Sequence, residues 1–167
     1  MLLKILVIVF SRTGVTEKIA NYIKEETNAD IYTITTNEDY SGILGYLKGC
    51  YYQIIGRVPE INSIPNIDQY DVVYVGGPTW AWKPSPPIIK LLEKIDFKNK
   101  KVIPFLSCGG SYGKYFEIFK QNARNANIED QGVFRGADRM NDNELKQKVI
   151  DWIKNAEQGD NKPQKEL

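Results

Sequence analysis

The apolar run Ile5-Leu6-Val7-Ile8-Val9-Phe10 stops at Ser11-Arg12-Thr13-Gly14-Val15-Thr16, and a helix-period stretch with Val15, Ile19, Tyr22 and Ile23 on one face begins there. A strand thus ends in a hydroxyl-rich loop that opens a helix. Such a helix start carries unpaired backbone N–H groups and the positive end of the macrodipole. The loop holds three hydroxyls and a glycine but no carboxylate, so a phosphate dianion is the ligand it suits. Ser and Thr also cap helices without any ligand, yet one hydroxyl is enough for that.

The rest of the chain repeats the alternation. Apolar runs at residues 3–10, 31–34, 72–75, 102–106 and about 132–135 read as strands. Helix-period segments lie between and after them. The first covers 14–27. Ile43, Leu47, Tyr51 and Ile54 mark a second, weakened by Gly42, Gly45 and Gly49. Ile88, Leu91, Leu92 and Ile95 mark a third, opened by Pro86-Pro87, and Phe116, Phe119 and Ala123 a fourth. Leu145, Val149, Trp152 and Ile153 mark the last, with Asn141 and Glu144 spaced as a capping box. Residues 58–69 read as a long loop. Pro104 has no N–H, so the fourth strand is expected to bulge or to lack a partner there.

Strand–helix alternation implies an α/β fold with a parallel sheet covered on both faces. Residues 1–157 are expected to form one domain and 158–167 a polar, disordered tail.

Composition removes several classes of function. The chain has no histidine, which excludes a Ser-His-Asp triad and imidazole metal ligation. Cys50 and Cys108 form no Cys-x-x-Cys pair, so no metal site is expected and a reduced, cytoplasmic protein is. The net charge of +1 offers no field to recruit nucleic acid or a membrane. The first apolar run is too short to span a bilayer and leads into Arg12 rather than a cleavage site, so no targeting segment is expected. Cys108 followed by Lys114 is not a phosphatase loop, which needs Arg for bidentate phosphate binding. Gly109 to Lys114 is too short for a nucleotide P-loop, and Tyr115 stands where Ser or Thr would bind magnesium. Ser11-Arg12 lacks the acidic residues of a phosphoacceptor receiver domain.

Two further loops complete the pattern: Gly76-Gly77-Pro78-Thr79-Trp80-Ala81-Trp82-Lys83-Pro84 and Ser107-Cys108-Gly109-Gly110-Ser111-Tyr112-Gly113. With strand order 2-1-3-4-5, strands one, three and four are neighbours and their loops converge beyond the carboxyl ends, where doubly wound sheets bind ligands. One loop suits a phosphate. One presents two tryptophans in a stretch that reads as exposed, and the third is glycine-rich. A flat heteroaromatic ring with a phosphate tail fits that set.

At these residues the chain resembles the flavodoxin family. Ser11-x-Thr13-Gly14-x-Thr16 matches the family's phosphate loop, with Val15 where many relatives have Asn. Gly77-Pro78-Thr79-Trp80 is similar to the loop that sets an aromatic ring against the flavin, and Ser107–Gly113 to the third flavin-contacting loop. The chain lacks the long insertion of the longer members, so it looks like a short-chain form.

The resemblance implies a flavodoxin-like five-stranded sheet, FMN as cofactor, and one- or two-electron transfer between redox partner proteins, with no catalytic side chain and a monomer rather than a dimer. It implies cofactor contacts from Ser11, Arg12, Thr13, Gly14, Val15 and Thr16; from Pro78, Thr79, Trp80, Ala81 and Trp82; and from Ser107, Cys108, Gly109, Gly110, Tyr112 and Gly113. Trp80 is expected to cover one ring face, with Trp82, Tyr112 or Tyr115 as further candidates. Arg12 and Lys83 lie in these loops and no Asp or Glu occurs within 76–92, so a less negative reduction potential than that of acidic flavodoxins is expected. Two other functions fit the same fold: an NAD(P)H-dependent quinone or flavin reductase, and a flavin-free binding module.

Overall fold

A computed structural model describes residues 3–157; the tail expected over 158–167 lies outside the described residues. In chain order the elements are β1 (Ile5–Val9), α1 (Val15–Thr27), β2 (Asp30–Thr33), α2 (Gly42–Ile55), β3 (Val72–Trp80), β4 (Lys83–Pro84), α3 (Pro86–Lys94), β5 (Lys101–Cys108), α4 (Tyr115–Asn122), β6 (Asn127–Ile128), β7 (Gly132–Arg135), a 3-10 turn (Ala137–Arg139) and α5 (Asp142–Glu157). No helix among the described residues is long and apolar enough to cross a membrane.

The parallel sheet runs β2-β1-β3-β5 and continues with both β6 and β7 on the far side of β5. This is the expected 2-1-3-4-5 order with its last strand broken in two. β6 pairs β5 as far as Val102, and β7 resumes at Phe105. Ile103 and Pro104 therefore lack a strand neighbour on that side. Pro104 keeps its place opposite Val75 in the β3 register, so the strand does not bulge. The residue without an N–H falls where the ladder has a gap.

Helices cover both faces. Ile19, Ala20 and Ile23 of α1 and Leu145, Val149, Trp152 and Ile153 of α5 are buried against Val7, Val9, Phe105 and Phe134. On the opposite face, Ile88, Leu91 and Leu92 of α3 and Tyr115 and Phe119 of α4 close over Leu6, Ile8, Val73, Val75 and Leu106. Each such aliphatic side chain contributes about 1.5–3 kcal/mol on burial. The capping box of α5 is present in both directions: Asn141 N donates to Glu144 Oε2 (3.1 Å), and Glu144 N donates to Asn141 Oδ1 (3.0 Å).

Two elements depart from the sequence reading. β3 is longer than residues 72–75 and runs through Trp80. Its end folds back on β4, with Thr79 opposite Pro84 and Trp80 opposite Lys83. The connecting residues Ala81 and Trp82 both have positive φ, 47° and 61°, as a two-residue type I′ hairpin turn requires. Most of the expected loop over 76–84 is thus strand.

The second departure is α2. Its marker residues Ile43, Leu47, Tyr51 and Ile54 are exposed, while Gly45, Gly49 and Tyr52 face inward. Periodicity identified a helix with an apolar face, and tertiary structure turned that face outward.

Candidate functional site

A cavity of about 530 Å³ opens at the carboxyl ends of β1, β3 and β5. Arg12, Thr13, Val15 and Thr16 line it from the first loop, Pro78, Thr79 and Trp80 from the end of β3, and Ser107, Cys108 and Gly109 from the end of β5. The three expected loops therefore converge, because β1, β3 and β5 are adjacent in the sheet.

The first loop is built for the start of α1. Gly14 sits at φ 85°, a left-handed conformation that glycine adopts without steric cost. Its N–H donates to Ser11 Oγ at 3.1 Å, so the Ser11 hydroxyl holds the loop rather than the cavity wall. Lys18 N closes the first helical bond to Gly14 O. The N–H groups of Val15, Thr16 and Glu17 belong to the turn that no helical carbonyl serves. Thr13 is exposed at the mouth, whereas Thr16 is buried and its Oγ1 lies 2.8 Å from Ser107 Oγ. That buried hydrogen bond ties the start of α1 to β5 across the cavity floor.

Thr79 supplies a test of fit. Its Oγ1 is buried, has no hydrogen-bond partner and belongs to a residue of the cavity wall. Such groups are ordinarily satisfied, so a polar ligand atom suits this position. Gly109 leaves open space where a Cβ would stand, on the same wall. The helix start, the orphaned hydroxyl and the open glycine together accept a phosphate joined to a hydrogen-bonding ring system such as FMN.

The other expected contact residues take different positions around the cavity. Trp80 lines the cavity but is only 2% exposed. Its ring packs edge-on against Phe10 (5.9 Å), Tyr40 (5.1 Å) and Tyr46 (6.2 Å). It borders the cavity from inside an aromatic cluster. Trp82 is 65% exposed but lies outside the lining, as does Ala81, because the hairpin turn carries both beyond the end of β3.

Gly113 also lies outside the lining: a Cβ there would meet Trp82 Cβ at 2.5 Å, so packing against the hairpin demands its small size. Gly110 uses its carbonyl to accept from Cys108 Sγ at 3.1 Å. Tyr112 turns its ring to Phe116, 5.5 Å away, and is not part of the wall. Tyr115 is fully buried, and its hydroxyl donates to Gly77 O at 3.4 Å. Burial also pushes that hydroxyl's pKa far above the usual tyrosine range.

Three lining residues had no sequence signal: Tyr46, Ala137 and Asp138. Tyr46 comes from α2, whose approach to the first loop only the tertiary fold creates. Arg12 joins them: its guanidinium lies over the Tyr46 ring at 5.2 Å, and Nη1 donates to Gly42 O at 3.1 Å. Asp138 lies beyond β7 and brings a carboxylate to the rim. The lining thus holds one arginine and one aspartate, while Lys83 is not part of it. Cys108 is buried in the wall; burial raises its thiol pKa, and the neighbouring Arg135 opposes that rise.

The family model described as Flavodoxin matches residues 54–156, a range that includes the second and third loops but not the first. No curated protein matches the chain by sequence. Among solved structures, a flavoprotein from Lactobacillus acidophilus in complex with FMN superposes with a TM-score of 0.71 at 23% identity, covering 90% of this chain and 99% of its own. A protein from Bacteroides uniformis described as a flavoprotein reaches 0.71 at 26% identity, covering 90% and 97%. Flavodoxin 2 from Bacillus cereus reaches 0.58 at 20% identity, covering 93% and 99%.

Proposed function

The chain belongs to the flavodoxin family, and we propose that it binds FMN non-covalently in the cavity over β1, β3 and β5 and carries one or two electrons between redox partner proteins. One observation carries this reading. The unserved N–H groups at the start of α1, the hydroxyl of Thr13 and the unpartnered hydroxyl of Thr79 all border one cavity of about 530 Å³. FMN, when bound, supplies the redox chemistry itself.

The chain's own residues seat and orient. Thr13 and the first turn of α1 receive the phosphate. Arg12 is held by Gly42 O and stacked on Tyr46, so it fixes the loop against α2 and adds positive charge near the dianion. Thr79 and Gly109 border the space left for the ring. Trp80 stiffens that wall from within its aromatic cluster. No side chain is required to move a proton.

Titration calorimetry with FMN, read alongside flavin absorbance, tests the proposal. The expected result is saturable uptake of one FMN per chain. Thr13→Glu sets a carboxylate against the phosphate and is expected to weaken binding by about 100-fold. Absence of uptake, or a Thr13→Glu chain that binds as tightly as the native one, overturns the reading. The carrier role is tested with NAD(P)H and a quinone: no sustained turnover is expected, and sustained turnover makes the protein a reductase instead.

A further inference from the structure

The outer face of α2 is large, apolar and open. Ile43 is 79% exposed, Leu44 83%, Leu47 56%, Tyr51 57%, Ile54 74% and Ile55 51%. Together these six side chains expose on the order of 800 Å², more than the largest apolar patch of a typical monomer and about what each partner gives to a standard protein interface. The inner face explains the arrangement. Gly45 and Gly49 let the helix backbone lie directly on Tyr40 and Trp80; a Cβ would come within 2.2 Å of the Tyr40 carbonyl carbon and 2.4 Å of Trp80 Cζ3. The large side chains consequently have no core to enter.

We infer that two copies of this chain associate through this face, α2 against α2 about a two-fold axis. Three features select a second copy. First, Leu44, Leu47, Tyr51 and Ile54 follow the 3-4-3 spacing of a seam that interlocks with another helix of the same pattern. Second, the seam is self-complementary. An axis through its middle sets Leu47 against Tyr51 of the partner and Leu44 against Ile54 of the partner, as a two-fold interface requires. Third, no charge obstructs the contact. Lys48 is the single charged residue in 42–55, and its ammonium is paired with Glu38 of its own chain.

Other occupants fit less well. A charged partner finds no complementary group on this face. Membrane-surface helices carry a basic polar face, and α2 offers one lysine. The segment 158–167 carries one large apolar residue, Leu167, and cannot match six. The inference replaces the monomer expected from the sequence, and it does not depend on FMN.

Sedimentation velocity on the full chain, with and without FMN, tests it. Over roughly 1–100 µM, at or above the micromolar-to-picomolar dissociation constants of interfaces of this size, the native chain is expected to sediment at twice its 19.1 kDa mass. The doubly substituted chain Leu44→Asp with Ile54→Asp is expected to sediment as a monomer, its dissociation constant raised by at least about 100-fold. Leu44→Lys with Ile54→Lys is expected to behave the same way, and an equimolar mixture of the two is expected to recover the dimer. Circular dichroism confirms that each is folded, since both positions lie on the surface.

A native chain that stays at 19.1 kDa throughout overturns the inference. So do substituted chains that remain dimeric, and a mixture that remains monomeric. Co-sedimentation of a monomeric native chain with neutral phosphatidylcholine vesicles would assign the face to lipid instead.

Discussion

Helices α1 and α2 leave neighbouring strands by similar sequence patterns and solve opposite packing problems. α1 buries Ile19, Ala20 and Ile23 and turns Lys18 outward to Asp142 of α5 at 2.7 Å. α2 buries glycines and turns isoleucine, leucine and tyrosine outward. Periodicity thus defines an apolar stripe, not the direction in which it points. Direction depends on the space available. Over β1 and β3, the bulky ring of Trp80 and the Tyr40 backbone already fill the groove, and only a glycine-faced helix can lie down there.

The comparison is open to direct attack, most forcefully through α1. Ile23 is fully buried, so Ile23→Ala removes contacts that its surroundings cannot replace, at a cost of about 2–5 kcal/mol in urea denaturation. A loss below about 1 kcal/mol would mean that α1 is not the anchored helix of the pair.

Gly49→Ala probes the other side. The new methyl would strike the Trp80 ring, with an expected cost of about 1–3 kcal/mol and a shifted tryptophan emission. A neutral result would show that α2 has room to stand away from the sheet.

Next comes the polar tie at the start of α1. Ser107→Ala leaves the buried Thr16 hydroxyl unsatisfied and should cost about 1–2 kcal/mol. Adding Thr16→Val should recover part of that loss. Equal and additive losses would deny the hydrogen bond.

The smallest effect concerns the tether of α2. Glu38 accepts from Lys48, and that hydrogen bond, with the nearby Arg57, holds its carboxyl below the ordinary 4.5. A carboxylate whose folded pKa is lowered adds stability above its unfolded pKa and loses it as pH falls through the folded value. The stability difference between the native chain and Glu38→Gln should therefore be present at neutral pH and fade below about pH 4.5. The pair is exposed enough that a small difference is expected. A difference that persists at pH 2 would assign the effect to packing.

Much of the fold was legible in the chain itself. Residues 5–16 specify a strand, a phosphate-type loop and a helix, because each step rests on local chemistry: β-branched residues, a glycine at φ 85°, and hydroxyls at a helix start. The Asn141–Glu144 capping box and the proline opening of α3 were legible for the same reason. The convergence of three loops also followed, since strand order determines which loops are neighbours.

Three-dimensional packing decided the rest. Whether Trp80 or Trp82 faces solvent depended on a hairpin turn at Ala81-Trp82, two residues with no glycine to signal positive φ. Tyr46 and Asp138 reached the cavity from elements 30 and more residues away from its first loop, and no short-range pattern encodes such distances. The sequence by itself determined which elements form and in what order they stack, because hydrogen bonding and periodicity are local. Only tertiary structure decided which face of α2 turns outward and which side chains complete the cavity, because those outcomes depend on volume already filled by residues far along the chain.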